Sequence, residues 1–494
     1  MKQTIKTIAL ILAVIAIITI LIIYLKSPIG EQEPVVKGWI KVFREGFMST
    51  AYSVQQTSDG GYIVAGTRYE GTRPPFNISL FLLKTDAQGN EVWDRIFGGL
   101  SGDEGRSVQQ TSDGEYVVAG VYHSYRLNGT IPNDTKIEKE RLDRVLAKWP
   151  DSRYDEWYLI GDEFYLVKTD VDGNMIWEKT FGDYYNEVGH SLQQTSDGGY
   201  IVVGGTNSFG VSPYTAKELG QEAPEDVYLV KTDADGNEQW TKVFGWRFLD
   251  IGYSVQQTND GGYIIAGETA GLQGNRTEDI YMGDDGGSGK LGLTDVYLIK
   301  TDSDGNKVWE KTFGGNDTNE VAYSVQQTSD KGYIIAGLTR FTNVGHDNYT
   351  FFDSDVYLIK TDENGNKVWE RKFDSNQPQY YSKFDVAYSI QQTSDEGYII
   401  AGTTKSYQDV YLIKTDENGN KVWEKTLSLT REFGALQGHS VQQTSDGGYV
   451  ITGYIDYENE VAKGGGGRYI FLIKTDENGN NAFCPAGVCH LNIE

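Results

Sequence analysis

Chemistry in this chain falls first to carboxylates and aromatic side chains, because other reactive types are scarce. Its 494 residues hold 70 Asp and Glu and 33 Tyr, but only five His and two Cys. Asp233-Ala234-Asp235-Gly236-Asn237 and Asp302-Ser303-Asp304-Gly305-Asn306 echo acidic calcium loops. They lack the distal bidentate Glu of an EF-type loop, and the same pattern suits a type I turn followed by a glycine bulge. Glu278, Asp279, Asp284 and Asp285 form a denser acidic segment, so Ca²⁺ stays open as a cofactor while the identity of any metal is unknown. A glycosidase-like carboxylate pair is conceivable, but sequence does not say which two acids converge. No G-x-S-x-G, H-E-x-x-H or phosphate-binding glycine loop is present. No catalytic residue is therefore assigned.

Cys484 and Cys489 have four residues between them in the tail and are followed by His490. Outside the cell such a pair closes a small disulfide loop. A c-type haem attachment has two residues between its cysteines, so haem is the weaker alternative, followed by free thiols. The net charge of −26 argues against nucleic acid and against an anionic lipid surface as partner.

Residues 1–26 read as a signal-anchor. Ile8 to Leu25 is an 18-residue apolar run between Lys2 and Lys6 on one side and Lys26 on the other. As a helix it spans about 27 Å, close to a hydrocarbon core, which predicts one transmembrane helix. No small-residue cleavage site precedes Pro28, although cleavage remains the alternative. The short basic start places the N-terminus inside and the bulk of the chain outside the cell. Residues 27–37 read as a stalk.

The elements that must position any site come from a repeat. QQT occurs seven times, beginning at Gln55, Gln109, Gln193, Gln256, Gln326, Gln391 and Gln442. A turn such as Ser58-Asp59-Gly60-Gly61 and an apolar strand such as Tyr62-Ile63-Val64-Ala65-Gly66 follow. KTD also occurs seven times, after a strand such as Val410-Tyr411-Leu412-Ile413 and before a turn such as Glu417-Asn418-Gly419-Asn420. A Trp-bearing strand closes each unit. Four short strands per unit predict an all-β, seven-bladed β-propeller over residues 38–483. After Asn480 the last unit lacks its Trp strand, and Trp39-Ile40-Lys41-Val42-Phe43 has the missing pattern. That segment is expected to complete the last blade and leave no open edge. Residues 484–494 form the Cys-containing tail.

Asp362-Glu363-Asn364-Gly365-Asn366-Lys367-Val368-Trp369 and its relatives resemble the outer-strand signature of quinoprotein-like (PQQ-like) propellers. Residues 38–483 also resemble the QTSDGGYIVAG…KTDxxGNxxW propeller repeats of archaeal and bacterial cell-surface proteins. The resemblance implies the fold and supplies no catalytic motif. A PQQ-dependent dehydrogenase would follow from fold analogy alone, and such enzymes typically have eight blades, so neither PQQ nor haem is expected.

With strands a to d crossing the ring alternately, the a–b and c–d turns share one plain face. Long insertions at 122–161, 206–225, 268–294, 339–354 and 454–468 share the other face, where individuality and function belong. Thr135 to Lys148 is a predicted capping helix within the first insertion. Candidate glycosylation sequons at Asn77, Asn128, Asn133, Asn275, Asn316 and Asn348 all fall in b–c or d–a loops. Two residues before the Val, or its equivalent, of each QQT strand lies its most varied position: Tyr52, Arg106, His190, Tyr253, Tyr323, Tyr388 and His439. These side chains are expected to ring the channel mouth, where flat apolar bodies with polar tips suit sugars and other polar ligands. Packing between blades is the structural alternative. The expected function is a membrane-anchored extracellular binding module for a cell-surface protein or glycan. An extracellular enzyme acting on a polymer is the alternative.

Overall fold

A computed structural model describes residues 38–44, 48–70, 77–98, 102–123, 161–183, 186–209, 225–246, 248–270, 293–315, 317–344, 350–375, 384–404, 408–429, 434–457, 467–481 and 488–489. The chain divides between Lys37 and Gly38, and the described residues belong to the second unit. Every regular element among them is a β-strand. The expected Ile8–Leu25 span and the Thr135–Lys148 helix lie outside the described residues. Among those described, no helix is long and apolar enough to cross a membrane.

The first repeat consists of β2 (Met48–Gln56), β3 (Tyr62–Glu70), β4 (Asn77–Thr85) and β5 (Glu91–Phe97), paired antiparallel in that order. The same four-stranded sheet recurs along the chain, the arrangement of a β-propeller. β1 (Trp39–Phe43) pairs antiparallel with Gly467–Thr475, from Trp39↔Lys474 to Phe43↔Ile470. The N-terminal strand therefore completes the repeat that begins at Leu436, as its Trp pattern predicts. Its sheet joins that of the first repeat through one parallel bridge, Met48↔Arg468.

The repeated residues are structural. Inner strands such as Tyr116–Tyr122 and Asp409–Thr415 are buried along their whole length, which accounts for their apolar character on both faces. Each fourth-strand Trp packs against the Tyr that opens the second strand of the next repeat. Trp93 meets Tyr116 at 5.8 Å between ring centres, and Trp39 meets Tyr62 at 5.7 Å. The glycine of each DxxGN turn lies over the Trp of the preceding repeat, and a Cβ at Gly236 would come within 2.8 Å of Trp177. The KTD lysine reaches back to the Asp of its own a–b turn, as in Lys84 Nζ–Asp59 Oδ2 at 2.8 Å and Lys231 Nζ–Asp197 Oδ2 at 2.9 Å.

Adjacent QQT strands are stitched by side chains. Ser53 Oγ accepts from Val108 N (3.2 Å), and Gln55 Oε1 accepts from Gln110 N (2.5 Å). Gln110 Oε1 accepts from Ser58 N at 2.8 Å. The same three bonds link the last QQT strand to the first, where Ser440 Oγ meets Val54 N, Gln442 Oε1 meets Gln56 N, and Gln56 Oε1 meets Ser445 N.

Two expected loop insertions are partly strand. Tyr333–Val344 pairs with Thr350–Thr361 out to Val344↔Thr350, and Tyr449–Tyr457 pairs with Gly467–Thr475 out to Tyr457↔Gly467. In the first, the β-formers Thr339, Phe341, Thr342 and Val344 prolong the ladder beyond the core. The tail is also more integrated than expected. Val488–Cys489 pairs in parallel with Ser428 and Leu429, adding a fifth strand to the repeat that begins at Val386. Cys484 lies outside the described residues. Asn77 opens β4 opposite Glu70, and the other five sequon asparagines lie outside the described residues.

Candidate functional site

Every QQT strand carries one extra residue. The β2–β3 register jumps from Ala51 to Ser53, leaving Tyr52 unopposed. The same slip falls on Arg106, His190, Tyr253, Tyr323, Tyr388 and His439. A bulge re-aims its side chain, and these seven meet. Tyr52 stacks on His439 with ring centres 5.3 Å apart and planes 4° apart. Tyr388 meets His439 at 5.3 Å, Tyr323 meets Tyr388 at 5.3 Å, Tyr253 meets Tyr323 at 5.1 Å, and His190 meets Tyr253 at 4.9 Å. Arg106 fills the remaining gap. Its guanidinium carbon is 5.6 Å from the Tyr52 ring centre, and its Nη1 donates to His190 Nδ1 at 3.4 Å. The seven expected residues thus form a continuous circle of half-buried side chains.

The circle is asymmetric. Arg106 donates to Glu104 Oε2 from Nη2 (2.6 Å) and Nε (3.0 Å). His123 Nε2 lies 3.9 Å from Glu104 Oε1, while its Nδ1 is 2.6 Å from Asp162 Oδ1. Burial alone would lower the His123 pKa, but the Asp162 and Glu104 carboxylates override it and hold it at about 9. Burial alone would raise Glu104, but His123 and Arg106 bring it down to about 2. At neutral pH Glu104 is therefore an anion and His123 a cation, set between Arg106 and Asp162. Elsewhere on the circle the histidines are neutral. Burial, aided by the Arg106 charge, pushes His190 down to about 3, and burial pushes His439 to about 4. His439 Nδ1 donates to the Ala51 carbonyl (2.9 Å), which fixes its tautomer. Burial and the nearby Glu104 raise Tyr52 to about 12, so its hydroxyl keeps its proton.

Sequence reasoning missed a series of buried acids three residues before the bulge: Asp103, Glu187, Asp250, Glu320 and Asp385, all at most 2% exposed. Their signal is visible in retrospect as Glu187-Val188-Gly189-His190 and Asp250-Ile251-Gly252-Tyr253. Four of them fasten the d–a loop that enters the strand. Glu187 accepts from Asp183 N (3.1 Å) and Thr206 Oγ1 (2.8 Å); Glu320 accepts from Gly315 N (3.3 Å) and Thr339 Oγ1 (2.8 Å). Burial pushes Glu187 up to about 8 and Asp250 up to about 7.

Stability is accordingly expected to fall as pH rises above neutrality. Between its ordinary value of 4.5 and its folded value near 8, Glu187 binds more protons folded than unfolded, so its stabilisation disappears across that interval. His190 and His439 act oppositely, but only below their ordinary value of 6.5. Above it they are silent, while Asp250, Glu187 and His123 all act in the destabilising direction. At about 1.4 kcal/mol per pH unit, Glu187 alone contributes on the order of 2 kcal/mol between pH 6.5 and 8. Denaturant titrations at pH 6.5 and 8 are expected to show this decline, reduced in Glu187→Gln. Equal stability of the wild type at both values contradicts it.

The metal candidates separate. Asp233 Oδ1 accepts from Asp235 N (3.0 Å) and Asn237 N (2.8 Å), and Oδ2 accepts from Asn237 Nδ2 (3.0 Å). Asp302 repeats the pattern, so both carboxylates are engaged by their own turns. Glu278, Asp279, Asp284 and Asp285 lie outside the described residues. Asp355, Asp374 and Asp385 bring carboxylate oxygens within 4.8 Å of one another. Asp385 is already held by Ser375 N at 2.9 Å, Ser375 Oγ at 3.1 Å and Thr404 Oγ1.

No family model matches the chain. An uncharacterized WD repeat-containing protein of Acanthamoeba polyphaga mimivirus is 23% identical over 455 residues, covering 74% of this chain and 31% of that protein. The chain therefore spans under a third of the curated relative it matches. Among solved structures, Sqt1 from Chaetomium thermophilum aligns with 91% of this chain and 88% of its own, at 10% identity and a TM-score of 0.41. The WD40 domain of Pan2 from Neurospora crassa aligns with 73% of this chain and 88% of its own, at 11% identity and a TM-score of 0.36.

Proposed function

We propose that this chain is a binding module: a closed, seven-bladed propeller that engages a cell-surface protein or glycan through its loop-bearing face. The observation that carries this reading is the break in the repeat at Glu104, Arg106, His123 and Asp162. Repeated residues answer to packing, whereas this cluster of four charged side chains borders a floor of aromatic rings and does not recur in that form among the described residues. Aromatic faces beside oriented charges suit polar ligands with apolar flanks. The relationship to a WD-repeat protein accords with an interaction module, and the quinoprotein-like resemblance belongs to this reading at the level of fold. We further propose that Ile8–Leu25 anchors the chain in the cell membrane, with residues 27–37 as the stalk and the propeller outside. In that compartment Cys484 and Cys489 would pair.

The test screens the full chain against a glycan array and against cell-surface proteins by crosslinking. Arg106→Ala and His190→Ala are expected to leave the Tm in place and weaken the captured interaction about tenfold or more. Normal binding by both variants, with binding lost on deletion of 124–160 or 271–292, would place the site on the outer loops instead.

A further inference from the structure

Trp246 follows Phe244 and Gly245 at the end of a fourth strand, where other repeats carry Gly99, Asp183, Gly315 and Ser375. It is 44% exposed and is the only exposed aromatic among the described side chains. The Trp of the repeat motif packs against the next repeat, and Trp246 lies outside that pattern. Its position is nevertheless fixed. The backbone N–H donates to Asp250 Oδ2 at 2.6 Å, and the indole N–H donates to the Tyr297 hydroxyl. Tyr297 is buried and donates in turn to Glu310 Oε2 at 2.5 Å. Lys307 Nζ lies 2.9 Å from Glu310 Oε1 and 5.9 Å from the centre of the Trp246 ring.

Most of this assembly is ordinary repeat. Tyr357 donates to Glu370 at 2.7 Å and Tyr411 to Glu424 at 2.6 Å, and Lys367 and Lys421 pair with the same two acids. Among the described residues, only the repeat that begins at Asp250 has an indole laid against the set, supplied by the loop from the preceding repeat. Val308 and Glu310 lie two residues apart on one face of their strand, and Val308 is 61% exposed. The outer wall between these repeats thus brings together an oriented aromatic face, an apolar shoulder, a cation and a carboxylate.

The ion pair is electrically balanced, and the net charge of −26 on the chain repels polyanions. Lys307 keeps N–H donors, and Glu310 keeps lone pairs, beyond the bonds they already make. A donor and an acceptor beside an aromatic face match adjacent hydroxyls on a pyranose ring whose C–H face lies on the indole. At 5.9 Å the ammonium is at the limit of a cation–π contact, near enough to reach a hydroxyl of such a sugar. We propose that Trp246, Lys307 and Glu310 form a site for a neutral saccharide, with one pyranose ring stacked on the indole and its hydroxyls held by the ammonium and the carboxylate. The site shares no residue with the circle from Tyr52 to His439, so it stands or falls apart from the binding function proposed there.

The experiment applies the full chain, in a detergent without a sugar headgroup, to an array of neutral and acidic glycans. Wild type is expected to hold neutral pyranosides, and Trp246→Ala to weaken that binding at least about tenfold. Glu310→Gln is expected to weaken it severalfold, Trp246→Phe to recover part of it, and Glu370→Gln, the equivalent change in a repeat without the indole, to leave it unchanged. Absence of binding to any neutral glycan overturns the proposal, as does equal binding by wild type and Trp246→Ala. Neutral glycans lost with Arg106→Ala but held by Trp246→Ala belong to the circle, which also overturns it. Should Trp246→Ala fail to fold, oxidation of the wild type by N-bromosuccinimide, mapped by peptide mass spectrometry, decides the matter. Slower oxidation of Trp246 in the presence of the most strongly held neutral glycan supports the site, and an unchanged rate overturns it.

Discussion

A chain lacking Trp39–Phe43 is expected to melt at least about 10 °C below the intact protein and to become sensitive to protease near residues 467–475. β1 supplies five paired positions to that strand, and its loss leaves the edge at Ile470–Lys474 open to another chain. It also removes Trp39 from Tyr62 and from the hollow above Gly89, where a Cβ would meet the indole at 2.5 Å. Asn481 Nδ2, which donates to the Trp39 carbonyl at 2.9 Å, loses that partner too. Losing one large aromatic from a packed site costs roughly 3–5 kcal/mol, and the strand takes Ile40, Val42 and Phe43 with it. Trp39→Ala should show the smaller part of the effect. Melting followed by circular dichroism, with limited proteolysis alongside, checks both variants. An unchanged Tm together with unchanged protease resistance would mean that β1 contributes nothing to closure.

The architecture was legible because its information is repeated. A Trp strand missing after Asn480 and present at Trp39 is an arithmetic observation, and the observed pairing with Gly467–Thr475 agrees with it. The circle from Tyr52 to His439 was also legible, as variation within a constant motif. The cause of its convergence was not, because a bulge is a slip between two strands and neither strand shows it alone. Glu104, His123 and Asp162 come from the ends of three different segments, the last two separated by a long insertion. No spacing rule joins such residues before the fold does. The oriented side chain of Gln55 is hidden for a similar reason, since its orientation depends on the backbone N–H of Gln110 in the following repeat. The acids at Glu187 and Asp250 could have been read, but their signal becomes distinct only once the bulge position sets the frame.

The bulge has a second consequence, which separates two kinds of glycine. Opposite each bulge the second strand carries the glycine of its V/I-A-G motif or its equivalent. At Gly267 a Cβ would lie 1.7 Å from the Ile251 carbonyl oxygen, and at Gly402 it would lie 1.8 Å from that of Val386. The obstruction is backbone in the partner strand, so no rotamer change relieves it. Gly267→Ala is therefore expected to destabilise by more than about 4 kcal/mol, in the range reserved for severe overpacking. Gly261 offers the contrast. It sits in the a–b turn at φ +84°, and a Cβ there meets nothing within 4 Å. Lys331 and Glu396 occupy the equivalent turn position at φ 69° and 66°, so the turn accepts side chains at the modest cost of a left-handed conformation. Gly261→Ala should cost only about 1 kcal/mol. Denaturation midpoints of the two variants measure steric exclusion against backbone strain within a single repeat. If Gly261→Ala proves the more damaging, then left-handed strain in the turn, and not the close approach opposite the bulge, explains why glycine is retained in these strands.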